Sequence, residues 1–223
     1  MSALGSTSSV DEPPSASAMT KTDPLLSFVL HAVFILSGIA ALLYQLIWQR
    51  SLLVMYGSNT ESVAMIVSAF LVGLGLGSLV GGAISQRPGV PLVVLFSAAE
   101  LLIGCYGVVS LRIFHLVGEY TLHAGTLETG VLAFSLVAIP TSLMGATLPL
   151  LVAYRVQAIG EVGRSVSWLY FANTLGASMG AFLAPFVFLR NFGLAGSSRL
   201  AALFNLTSAI VMLCFWLARR KKS

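Results

Sequence analysis

Charge is what this chain of 223 residues has least of: 9% of its residues are Asp, Glu, Lys or Arg, against about 25% in soluble domains. Only two aspartates occur, Asp11 and Asp23, both within the first 24 residues. That scarcity leaves no pair of carboxylates for acid–base hydrolysis and no acidic cluster for a hard metal ion. There are two cysteines, Cys105 and Cys214, each inside an apolar run. They lack zinc-type spacing and read as small packing residues rather than as a disulfide. The three histidines, His31, His115 and His123, are scattered, so neither a metal centre nor a Ser-His-Asp set is expected. No cofactor is expected either.

What the chain has is apolar length. Hydrophobic residues make up 57% of it and its mean hydropathy is +0.92, which marks an integral membrane protein. A spanning helix takes about 20 apolar residues, and six such runs can be drawn: 25–48, 63–84, 91–111, 130–154, 166–189 and 200–217. Residues 1–24 are rich in Ser, Pro and Thr, and read as a disordered tail; residues 218–223 form a basic one. The segment 112–128 is mixed in polarity and suits the membrane interface. The expected architecture is an all-α, six-helix transmembrane bundle over 25–217.

Orientation follows from the basic residues on alternate sides. Lys21, Arg87, Arg155, Arg164, Arg219, Arg220, Lys221 and Lys222 fall on the side of both termini, and Arg50, Arg112, Arg190 and Arg199 on the other. The excess places both termini in the cytoplasm of a plasma (inner) membrane protein, with Arg87 in a cytoplasmic turn. The net charge of +4 is thereby assigned to topology and lipid headgroups rather than to nucleic acid.

Two spans carry small residues at four-residue spacing. Gly73, Gly77 and Gly81 stripe the second, and Ala172, Gly176, Gly180 and Ala184 stripe the fifth. In a membrane such stripes are grooves for a neighbouring helix. Their placement suggests a three-plus-three repeat of the kind transporters use, although small-xxx-small patterns also occur without one. Gly73-Leu74-Gly75-Leu76-Gly77 mimics a dinucleotide loop, but no strand precedes it and no acid follows at the required distance.

Glu100 is the single acid inside a span, roughly 14 Å deep by helical rise. Such a group faces the bundle, is neutral or has a partner. It is a candidate proton or cation site, or a protonated carboxyl that bonds a neighbouring helix. Tyr44 and Trp48 share a helix face and offer a cation–π surface or an interfacial anchor. Asn173, mid-span beside Gly176, lines a polar cavity or bonds another helix. Pro140 with Thr141 and Ser142 suggests a kink whose freed carbonyls the hydroxyls satisfy. The sequon Asn205-Leu206-Thr207 lies inside the sixth span, out of reach of glycosylation.

Four stretches, in order, resemble a known family. They are SGIAALLYQLIWQRSL (37–52), the Gly-rich second span, Pro140-Thr141 with MGATLPL (144–150), and YFANTLGA (170–177). Over residues 30–217 the chain resembles the membrane region of the spermidine synthase-like membrane proteins. In those, a bundle like half of a major-facilitator transporter is commonly fused to an aminopropyltransferase-like domain. Only six residues follow Leu217, so the chain is expected to lack that domain and not to be an enzyme itself. The turn after the second span partly resembles a major-facilitator loop through Gly81 or Gly82, Arg87 and Gly89, with Gln86 where an acid is usual.

The resemblance implies polyamine-related transport, or substrate delivery to a separate synthase-like protein. The alternative is a non-transporting anchor or assembly subunit that binds partner helices through its glycine grooves. Expected partners are the lipid bilayer, a second copy of the chain or another membrane subunit, and that separate synthase-like protein.

Overall fold

The computed structural model describes residues 24–57 and 60–221. The expected N-terminal tail, apart from Pro24, and the last two residues lie outside the described residues. Apart from short turns, the described residues are helical: α1 (Pro24–Tyr56), α2 (Thr60–Ser85), α3 (Leu92–Thr121), α4 (Thr126–Ile159), α5 (Val162–Leu183), a π-helical segment (Ala184–Phe188) and α6 (Leu189–Arg220). Proline starts α1, where its missing amide costs nothing. Gly160, at φ 81°, ends α4 in a left-handed cap whose amide returns to the Val156 carbonyl at 2.7 Å. The mixed segment 112–128 is not a separate interfacial element. Its first ten residues continue α3, and the rest form a turn and open α4.

Five helical stretches, not six, are long and apolar enough to cross a membrane. The fifth and sixth expected spans fall in one stretch of 59 residues, Val162–Arg220. Helical hydrogen bonding persists through a π-turn containing Pro185, so no loop separates them. Within that stretch Gly193 has φ 62° and ψ −172°, a conformation close to exclusive to glycine. The chain folds back there. A straight helix would hold residues 176 and 208 roughly 48 Å apart, yet Gly176 packs on Ile35 and Ser208 donates to the Val33 carbonyl at 3.3 Å.

The packing order is built from two equivalent halves. Gly77 and Gly81 of α2 lie against the backbone of Ser142 and Ala146 in α4, and Gly176 and Gly180 of α5 lie against that of Ile35 and Ile39 in α1. Reciprocally, Gly145 of α4 meets the Leu74 carbonyl, and Gly38 of α1 meets the Asn173 carbonyl. A constant shift of 107 residues carries Gly38 to Gly145 and Ile35 to Ser142, while one of 99 carries Leu74 to Asn173 and Gly77 to Gly176. The element pairs follow the same rule: α2–α4 mirrors α1–α5, and α3–α4 mirrors α1–α6. A Cβ on Gly77 or Gly176 would overlap a carbonyl of the facing helix. Both glycine stripes are therefore filled from within the chain, and neither is an open groove for a partner.

Two apolar clusters fill the bundle along its length. One joins Leu30, Phe34, Phe96, Leu151, Leu169 and Met212; the other joins Leu43, Trp48, Phe70, Ile103, Phe114 and Ala201. The outside is apolar as well, with Leu79, Phe182, Phe186, Leu203 and Ile210 more than half exposed. A surface of that kind is unsustainable in water and suits lipid.

Proline inside α4 leaves a debt at Leu136, whose carbonyl has no amide from Pro140. Tyr106 of α3 supplies the donor: its Oη bonds the Leu136 carbonyl at 2.6 Å. Thr141 and Ser142 also back-bond, to the carbonyls of Val137 and Ala138 at 2.8 Å each. Helix α4 therefore passes both prolines without a break.

Candidate functional site: a buried acid among α1, α3 and α6

Helix α3 has few large side chains on one face. Ser97, Glu100, Gly104, Gly107 and Ser110 recur at three- and four-residue spacing there, and all five are buried. That narrow face lets α1 and α6 come close. Ser37 of α1 donates to Glu100 Oε1 at 2.6 Å, and Trp48 Nε1 donates to Ser110 Oγ at 3.0 Å. From α6, Ser198 donates to the Gly107 carbonyl at 2.6 Å, and Ala202 and Asn205 pack on Gly104. Because α3 and α6 are antiparallel, one turn below Gly104 the register brings Glu100 level with Asn205.

Glu100 has no exposed surface and is the only acid among the buried polar residues described. Its Oε1 is satisfied by Ser37, but its Oε2 has no partner among the described residues. The same is true of Tyr44 Oη, Ser97 Oγ, Ser197 Oγ and Asn205 Oδ1. Buried polar atoms are ordinarily paired. These unpaired oxygens are strung along three touching helices, a seam that at Glu100 is suited to a proton, a cation or bound water.

The other sequence candidates fall in different places. Tyr44 and Trp48 are stacked at 5.0 Å between ring centroids, but both are fully buried. Tyr106 and Phe114 stand edge-on to Trp48. The pair is thus core packing beside the seam and neither an interfacial belt nor an open cation–π face, because α1 continues eight residues past Trp48 before it ends at Tyr56. Asn173 is partly buried against Gly38. It lies across the α1–α5 contact, one residue along α1 from Ser37, so it does not join Glu100. Gly73 packs on Thr141, completing the α2 stripe with Gly77 and Gly81. Arg87 is exposed in the turn after α2, its amide bonded to the Ile84 carbonyl at 3.1 Å.

Five cavities among the described residues, of about 280–700 Å³, are each lined by residues other than Glu100, Tyr44, Trp48 and Asn173. One of them, about 700 Å³, lies between α1 and the π-helical segment, with Gln49 and Arg50 as its polar groups. Among the described residues no group of three His, Cys, Asp or Glu side chains could hold a metal ion. Sequence reading missed Ser197, Ser198, Asn205 and Ser208 as a set. Their spacing on one face of α6 was the available signal. It missed Arg155 too, which is buried in α4 rather than set in a loop.

No known family profile matches the chain, and no solved structure matches it. Curated relatives do. A protein of Oceanobacillus iheyensis named polyamine aminopropyltransferase is 26% identical over 165 residues, 74% of this chain and 30% of that protein. A Corynebacterium efficiens protein of the same name is 28% identical over 162 residues, 71% of this chain and 30% of the relative. One from Mycobacterium tuberculosis is 27% identical over 195 residues, 85% of this chain and 36% of the relative. The chain thus spans about a third of the length of the curated relatives it matches. Their name is that of an enzyme, which corrects the expectation that this chain stands apart from enzymes. That expectation rested on which residues this stretch lacks, and the stretch matches only 30–36% of each relative. The chain is therefore similar, at low identity, to part of polyamine aminopropyltransferases, consistent with a spermidine synthase-related protein.

Proposed function

We propose that the chain is the membrane-embedded module of a polyamine-handling system built around aminopropyl transfer. In this reading it receives a polyamine within the bilayer and passes it to, or across from, the transferase chemistry. The observation that carries it is Glu100, a fully buried carboxyl with one oxygen held by Ser37 and the other unpartnered. A carboxylate set at the meeting of three helices is a fitting counter-charge for a protonated amine. The names of the relatives supply the polyamine connection.

The two-halves packing supports the transport side of the reading. The direction of α1 is shared by α3 and α5 and opposed by α6, so the halves are inverted, an arrangement recurrent in transporters. On this reading the stretch Val162–Arg220 crosses the membrane twice, reversing at Gly193. The bundle then has six crossings, as half of a major-facilitator transporter does, with both termini on the cytoplasmic side of the plasma membrane. The anchor alternative loses its stated means of attachment, because the glycine stripes are occupied by α4 and α1.

The test is uptake of labelled spermidine by proteoliposomes carrying the wild-type chain or Glu100→Gln. Saturable uptake that the substitution abolishes supports the reading. No uptake above empty liposomes removes it.

A further inference from the structure

We propose that Arg155 and Arg164 form a binding site for a phosphate group at the Pro24 end of the bundle, separate from the Glu100 seam. A cavity of about 320 Å³ there is lined by Pro24, Ser27, His31, Arg155, Arg164 and Trp168. Arg155 is only 3% exposed, and its Nε and Nη1 find no acceptor among the described residues. A guanidinium does not shed its proton. A buried one left unpaired is strongly unfavourable, so it calls for an anion.

The rest of the wall points to the same chemistry. Arg164 is half-exposed at the mouth, and its contact with Glu161, at 3.5 Å, engages one nitrogen. Among the described residues, two guanidinium groups therefore face a single carboxylate. Helix α1 begins at Pro24, so the positive end of its dipole lies at this wall. Trp168 stands edge-on to His31 at 5.8 Å and closes an apolar side. Arg155 and Arg164 come from different helices. A tetrahedral phosphate offers oxygens to both at once, whereas a planar carboxylate pairs best with one fork.

The site joins the two halves of the bundle, since α1 belongs to the first and α4 and α5 to the second. An occupied site clamps the halves together at this end. A lipid headgroup and a soluble anion offer the same phosphate chemistry, and the recognition is the same for both.

The experiment uses the full chain in a non-ionic detergent, with binding followed by native mass spectrometry and thermal unfolding. The probes are inorganic phosphate, against chloride at matched ionic strength, and short-chain phosphatidylglycerol, against a neutral diacylglycerol. Wild-type protein is expected to bind one of them, with about tenfold weaker binding in Arg155→Gln and in Arg164→Gln. Stabilisation by inorganic phosphate identifies a soluble ligand; stabilisation by the lipid alone identifies a headgroup. Arg164→Gln, at the exposed mouth, preserves the test if Arg155→Gln does not fold. Binding of neither probe, or equal binding by wild type and both variants, overturns the proposal. Asp23→Asn is run beside them, because Asp23 precedes Pro24 in the sequence. A marked gain of binding in that variant would show the cavity filled by the chain's own carboxylate, and this too overturns it.

Discussion

Tyr106 and Leu136 are joined by a 2.6 Å hydrogen bond from the phenol to the one backbone carbonyl that Pro140 deprives of its amide. The bond ties α3 to α4 at the point where α4 is weakest. Removing the donor leaves a partly buried acceptor without a partner in an apolar setting, which costs about 1–3 kcal/mol. Tyr106→Phe is therefore expected to lower unfolding stability by that amount. In a Pro140→Ala background, where an amide again reaches Leu136, the same change should cost less than half as much. Thermal unfolding of the four proteins in detergent measures the coupling; equal costs in the two backgrounds would break the link to Pro140.

The equivalence of the halves makes a paired prediction. Gly77→Ala and Gly176→Ala each place a methyl where a carbonyl of the facing helix now lies. Each should destabilise by about 1–3 kcal/mol, the usual cost of overpacking. Gly75→Ala is the control, since a Cβ there meets nothing within 4 Å. It should leave stability unchanged or slightly raised, because alanine favours helix over glycine. If Gly75→Ala proved as harmful as the other two, the stripes would not be the basis of packing.

The reversal at Gly193 predicts a backbone effect independent of packing. No atom lies within 4 Å of an added Cβ there, so volume is not at issue. The φ of 62° with ψ of −172° is nonetheless costly for any L residue. Gly193→Ala should lower stability by about 1–3 kcal/mol, read by the same unfolding measurement. A neutral result would mean that the chain turns elsewhere.

Much of the fold could be read from the sequence, because bilayer length and glycine spacing are strong constraints. Membrane thickness sets the run lengths, and the Gly73–Gly77–Gly81 spacing marks one helix face whatever the partner. The partner itself was not legible. That Gly77 faces Ser142 rather than another chain depends on how three-helix halves interlock. The reversal within Val162–Arg220 was hidden in a different way. It rests on one glycine dihedral in a helix that remains hydrogen-bonded through Pro185, so composition shows only a gap between two apolar runs.

The site was legible in its acid and not in its surroundings. Glu100 is conspicuous because charge is rare inside a span. Its partner Ser37 lies 63 positions away, and no local pattern couples the two. Tyr44 and Trp48 misled for a physical reason. Aromatics ahead of an arginine are common at an interface, but here α1 runs on to Tyr56 and carries both rings into the core. Asn205 was masked by its sequon, and Arg155 by its closeness to the end of α4.

The most direct measurement of the central claim is spermidine uptake by proteoliposomes, compared between wild type and Glu100→Gln. Gln keeps the shape and the Ser37 hydrogen bond of Glu100 while removing its capacity for charge. Wild-type liposomes should take up spermidine saturably, and Glu100→Gln should reduce the rate at least tenfold, with unfolding stability within about 1 kcal/mol of wild type. Equal uptake by the two proteins would show Glu100 to be structural and contradict the account.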